Sequence, residues 1–157
     1  MGQKINPISN RLGIIRSRDS KWHTSRENYA AWLHEDIWLR AYISKRFAHA
    51  GIARVHIERA SNRCKITIST ARPGIVIGPK GSEIESLRKT LEKKTGKNVS
   101  INIEEVKRTE LSAKLVGENV ASQLMRRIGF RRAMKKAMQA TMDAGALGIK
   151  IMCAGRL

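Results

Sequence analysis

With 31 Lys and Arg against 13 Asp and Glu, this 157-residue chain carries a formal charge of +18, a field that draws polyanions and speeds their capture. A chain of this length buries about two-thirds of its unfolded surface, so its core needs no metal or disulfide staple. Cys64 and Cys153, far apart and without a CxxC, read as small buried thiols in a reducing compartment. No apolar run approaches the ~18 residues of a membrane span and no secretory h-region opens the chain, so a soluble, cytosolic-type protein is expected.

Residues 1–23 hold Lys4, Arg11, Arg16, Arg18 and Lys21 among turn-formers and lack periodicity, which predicts a basic arm ordered only against a partner. Thr24-Ser25-Arg26-Glu27 fits a capping box and starts a helix that Gly51 closes near residue 50. Leu33, Ile37 and Ala41 recur along it at steps of four, as do Leu39, Ile43 and Phe47. Trp32 and Trp38 are expected to pack rather than to stack on bases. Two strands follow, Val55 and Ile57 alternating with polar residues and Ile66 and Ile68 doing the same after a Ser61-Asn62 turn. Pro73 suits the first turn of a helix, although Ile75-Val76-Ile77 alone also fits a buried strand.

Gly78-Pro79-Lys80-Gly81 comes next, with Ser82-x-x-Glu85 as a second capping box behind it. Ile84, Leu87 and Leu91 make a helical stripe that Gly96 ends, and Val99, Ile101 and Ile103 alternate as a strand. Lys107-Arg108-Thr109 marks the boundary to a second unit. Its first helix spans about 110–128, with Leu111, Leu115, Val120, Leu124 and Ile128 on one face, and Gly129 interrupts it. A second helix runs over about 130–144, where Met134, Met138 and Met142 are expected to pack into a core. A strand is expected over 149–153. Two helices and one strand make an incomplete domain, because a lone strand has no partner, and the unit reads as truncated or completed by something else.

Two constellations carry chemistry. Glycines at 78 and 81 let another backbone come close, the following helix offers free N–H groups and its positive dipole end, and Lys80 adds a mobile cation. These are the parts of a backbone clamp, the GXXG loop of a KH module. Pro79 removes one donor from it. The second constellation is Arg126-Arg127-x-x-x-Arg131-Arg132-x-x-Lys135-Lys136, six cations with no acid among them. Arg131 and Lys135, like Arg132 and Lys136, are i, i+4 neighbours, so their repulsion calls for phosphate. The last third is also the most basic, with 11 cations against 3 acids over residues 107–157. No catalytic set emerges: the four histidines lack HxxxH spacing, and Glu83, Glu85, Glu104 and Glu105 fit helix-start and strand-end charges.

Met1-Gly2-Gln3-Lys4-Ile5-Asn6-Pro7, Arg11-Leu12-Gly13-Ile14, Thr70-Ala71-Arg72-Pro73-Gly74-Ile75-Val76-Ile77-Gly78 and Phe130-Arg131-Arg132-Ala133-Met134-Lys135-Lys136 resemble the bacterial and organellar small ribosomal subunit protein 3 family. The resemblance implies an α+β chain: a basic arm (1–23), a type II KH domain (24–106) with a short helix at 74–77, and the first part of an α/β C-terminal domain (107–157). It implies a non-enzymatic constituent of the small-subunit head, in a cytoplasmic or organellar ribosome, without cofactor, metal or membrane. The partners would be small-subunit ribosomal RNA, messenger RNA and neighbouring head proteins. Gly78, Pro79, Lys80 and Gly81 would grip RNA, and Arg131, Arg132, Lys135 and Lys136 would line the messenger entry channel. Lys4, Arg11, Arg16, Arg18, Arg72, Lys107, Arg108, Arg126 and Arg127 are further candidates for ribosomal RNA. The alternative is a free-standing KH-type RNA-binding regulator or ribosome assembly factor.

Overall fold

A computed structural model describes residues 3–60 and 63–156; the expected Ser61-Asn62 turn lies outside them. The first helix, α1 (Arg26–Arg46), runs on through a single 3-10 turn to Gly51, whose φ of 66° ends it. Strands β2 (Ile52–Ala60) and β3 (Arg63–Thr70) form an antiparallel pair, Val55 opposite Ile68 and Ile57 opposite Ile66. Helices α2 (Pro73–Ile77) and α3 (Ser82–Thr95) then carry the chain across to β4 (Asn98–Glu105), which lies parallel to β3. A parallel neighbour requires such a crossover. The run Ile75-Val76-Ile77, open in the sequence between strand and helix, is helical.

The core lies between one face of this sheet and the two long helices. Leu39 and Ile43 from α1, Phe47 just beyond it, and Leu87 and Leu91 from α3 meet Ile57, Ile66, Ile68 and Val99. Of the two stripes on α1, only that one is buried. Leu33 and Ile37 are exposed, because the sheet covers about a third of the helix circumference. Trp38 packs against the core and stacks on Tyr42 with ring centroids 5.0 Å apart. Cys64 is buried, which pushes its thiol pKa up, whereas Cys153 is only half-buried, contrary to expectation.

Neither capping box forms. Ser25, not Thr24, is the residue before α1, and Gly81 precedes α3 with Ser82 already helical; no side chain caps either end. The arm also differs from expectation. Ser20–Lys21 is a short strand, β1, parallel to β2 at the sheet edge. Ser20 Oγ and Trp22 Nε1 donate to Asp36 at 2.7 and 2.8 Å, so the arm is ordered against its own domain.

Beyond β4, a 3-10 turn over Thr109–Leu111 leads into α4 (Ala113–Met125), followed by α5 (Phe130–Asp143). Leu111 lies outside α4 and is exposed. Leu115 and Val120 of α4 are buried, as are Ala133, Ala137 and Thr141 of α5. The buried face of α5 is therefore made of small residues, and Met138 and Met142 are exposed beside it rather than packed in a core. Residues 149–153 form no strand, since among the described residues no neighbour offers them a ladder. No described helix is long and apolar enough to cross a membrane.

Candidate nucleic-acid interface

The loop between α2 and α3 is built on left-handed backbone. Gly78 has φ 71° and ψ 176°, Lys80 φ 53° and Gly81 φ 79°. A Cβ on Gly78 would stand 2.6 Å from Glu83 Cγ and 2.7 Å from its Cβ, so only glycine fits there. A Cβ on Gly81 would meet nothing closer than Ile84 Cγ2 at 3.9 Å. Gly81 thus leaves its surface open for a ligand backbone, as the clamp requires. Pro79 and Lys80 are exposed at the tip.

Behind the loop, α3 and the edge strand β4 enclose a groove of about 320 Å³, lined by Ile84, Glu85 and Arg88 on one side and Val99, Ser100 and Ile101 on the other. Its apolar floor and polar rim suit a stacked, unpaired base. Sequence reasoning missed Arg88, although it lies one helical turn past Ile84 on the same face. Arg88 Nε donates to Glu92 Oε1 at 3.0 Å, and this bond holds the Glu92 carboxyl below its usual pKa range.

The second set surrounds the α4–α5 junction. Arg131, Arg132, Lys135 and Lys136 are exposed on α5, as are Arg126 and Arg127 at the end of α4. Within the described residues none of the six makes an ion pair. Arg127 adopts φ 61°, where glycine is the usual residue. Lys80 and Arg127 are the two non-glycine residues with left-handed φ among those described, and both belong to the cation sets. Such strain, roughly 1–2 kcal/mol each, gathers at functional positions.

The remaining candidates are dispersed. Lys4, Arg11 and Arg18 are exposed on the arm, Arg11 with Nη1 donating to the Pro7 carbonyl at 2.9 Å, and Arg16 is half-buried. Arg72 immediately precedes α2, and Lys107 and Arg108 are exposed after β4. Among the described residues no His, Cys, Asp and Glu side chains gather as a metal site would require.

Comparison with known proteins agrees with this arrangement. Residues 39–111 match the KH domain family, and residues 120–157 match the family described as ribosomal protein S3, C-terminal domain. The chain is 57% identical over all 157 residues to the small ribosomal subunit protein uS3 of Shouchella clausii, covering 71% of that protein. It belongs to the uS3 family. The uS3 proteins of Halalkalibacterium halodurans and Pelotomaculum thermopropionicum are 58% and 57% identical over the whole chain, which spans 71% and 68% of them. As a member of the uS3 family the chain has a structural, RNA-binding role in the small ribosomal subunit, and its sheet-and-helix domain is the family's KH domain.

Proposed function

We propose that the chain fastens small-subunit ribosomal RNA through its arm and KH loop and presents α5 to messenger RNA at the entry channel. The observation that carries this reading is the acid-free ridge of Arg131, Arg132 and Lys135, exposed on a helix whose opposite face is buried through Ala133, Ala137 and Thr141. A fixed face aims these cations outward, and arginine and lysine so placed hold phosphates without regard to sequence. Six such contacts on a single strand would give a slope of log K against log salt of about −4. The KH loop and the α3–β4 groove would anchor RNA that stays in place. The exposed Leu33 and Ile37 on α1 support contact with neighbouring head proteins.

The test replaces Arg131, Arg132 and Lys135 together by Ala. Subunits carrying the variant should assemble normally yet translate structured messages more slowly than unstructured ones. Equal loss of assembly and translation would make the ridge a structural element. A wild-type chain that stays off small subunits in magnesium-containing gradients would favour a free RNA-binding regulator instead.

A further inference from the structure

β1 pairs with β2 over two residues only, Ser20 opposite Ile57 and Lys21 opposite Glu58. Ile57 N–H donates to the Asp19 carbonyl at 2.9 Å, so Ile57 turns its backbone groups toward the arm. By the two-residue period of a strand, Val55 aims its N–H and C=O the same way. Among the described residues no strand meets them. A cleft of about 710 Å³ opens there instead, lined by Arg16, Asp19, Arg40, Ser44, Ala53 and Val55 among others. The register of β1 says what would fill it. One more ladder step sets Arg18 opposite Val55, with Val55 N–H donating to the Ser17 carbonyl and Asp19 N–H to the Val55 carbonyl. The bulge at Ala53, where the register with β3 shifts, would end the ladder after that step.

The arm does not take that step, and Arg18 supplies the reason. Residues opposite one another share a face of the sheet, and Ser20, opposite the buried Ile57, turns toward α1 and donates to Asp36. Arg18, two residues earlier, would enter on the same side, where Arg40 and Ser44 of α1 line the cleft. Arg40 Nη2 donates to the Asp19 carbonyl and to Ser20 Oγ, both uncharged, and Asp36 is already held by Arg59, so a second guanidinium there lacks a carboxylate to balance it. Arg18 lies instead in a groove with Asp19, Glu58 and Glu104, away from the side its register assigns. A charge at an inward position stops an edge strand from growing. We infer that residues 17–19 are a strap, open as seen here, that closes on β2 when the charge of Arg18 is neutralised. Closing lengthens β1 from two residues to four, over 18–21, and fixes the direction in which the arm leaves the domain. The turn before the strap moves as a unit, since Gly13 N–H donates to the Arg16 carbonyl at 3.0 Å and Arg16 N–H to that of Arg11 at 3.1 Å. The strap makes attachment of the arm answer to local charge, whatever the arm binds.

The test follows amide hydrogen exchange, residue by residue, in the full chain at fixed pH and without RNA. Arg18→Val should slow exchange at the Val55 and Asp19 amides by about tenfold or more, while the Ile57 amide, already bonded, and β3 exchange as in the wild type. Arg18→Lys keeps the charge and should match the wild type. Raising KCl from about 0.1 M to about 1 M shortens the reach of charge from about 10 Å to about 3 Å. It should slow the same two amides in the wild type and leave Arg18→Val as it was. Unchanged exchange at Val55 in Arg18→Val overturns the strap. Equal slowing by Arg18→Lys overturns it as well, because charge would not be what holds the arm away. Slowing spread evenly over the sheet would mark a general gain in stability, which also counts against it. Should Arg18→Val fail to fold, the wild type decides alone: salt that does not selectively slow Val55 and Asp19 overturns the inference.

Discussion

Arg46 in the last turn of α1 holds Glu83 in the first turn of α3, with Nη2 donating to Oε2 at 2.9 Å and to Ser86 Oγ at 3.0 Å. That bond to Glu83 raises the Arg46 pKa, and Glu83 in turn lies against Gly78. The end of α1 therefore sets the shape of the loop proposed to grip RNA. Arg46→Met should cost about 0.5–1 kcal/mol of stability, since the pair is partly solvated. It should also weaken binding to a short single-stranded RNA a few-fold. A double-mutant cycle with Glu83→Gln checks this: additive losses in affinity would mean that the two residues act apart.

The two loop glycines should answer differently to substitution. Gly78→Ala puts a methyl group against Glu83 in a strained backbone region and is expected to cost about 2–4 kcal/mol. Gly81→Ala has open space and only the left-handed φ to overcome, about 1 kcal/mol. Gly81→Asp should fold and yet lose RNA affinity, because its charge faces phosphate. Thermal melts beside filter binding separate these effects, and a Gly81→Asp chain with full affinity would defeat the clamp.

From α1 to β4 the order of the helices and strands other than α2 was legible because each carries its own period: Val55 and Ile57, Ile66 and Ile68, and Leu87 and Leu91 all turn inward as their spacing demands. What escaped depends on partners distant in sequence. Ser20–Lys21 is too short to show alternation and is a strand only because β2 and Asp36 receive it. The Met134/Met138/Met142 stripe has core spacing, but Ala133 and Ala137 pack more closely against α4 and leave Met138 and Met142 outside. Residues 149–153 have strand composition and no ladder. Glycine spacing marked the turn between α2 and α3, whereas the left-handed Lys80 and the α3–β4 groove are matters of backbone geometry that no spacing encodes.

Asp36 is the hub that ties the arm to the domain. It accepts from Arg59 Nε at 3.0 Å as well as from Ser20 and Trp22, and Arg59 is itself buried with Glu35 as its other partner. Burial acts to lower the Arg59 pKa, but the hydrogen bonds it donates to Asp36 and Glu35 outweigh it and leave the pKa raised. Asp36→Ala would strand a buried guanidinium and should cost about 3–5 kcal/mol. It should also free residues 17–22, seen as faster amide exchange there than in β3. Uniformly faster exchange without a local excess would show that Asp36 supports the domain as a whole and not the arm.

Lys80 and Arg127 offer the sharpest separation of stability from function. An L-residue in left-handed backbone costs about 1–2 kcal/mol, and glycine removes that cost while adding about 0.5–1 kcal/mol of unfolded-state entropy. Lys80→Gly and Arg127→Gly should therefore leave stability unchanged or raise it by up to about 1.5 kcal/mol. Each should also lower RNA affinity and make its salt dependence shallower by about 0.7, one phosphate contact each. Opposite movements of melting temperature and affinity would mean that the strain is retained for binding. If both variants gain stability and bind RNA as tightly as before, the two cations lie outside the RNA contact and the left-handed turns serve only to end their helices.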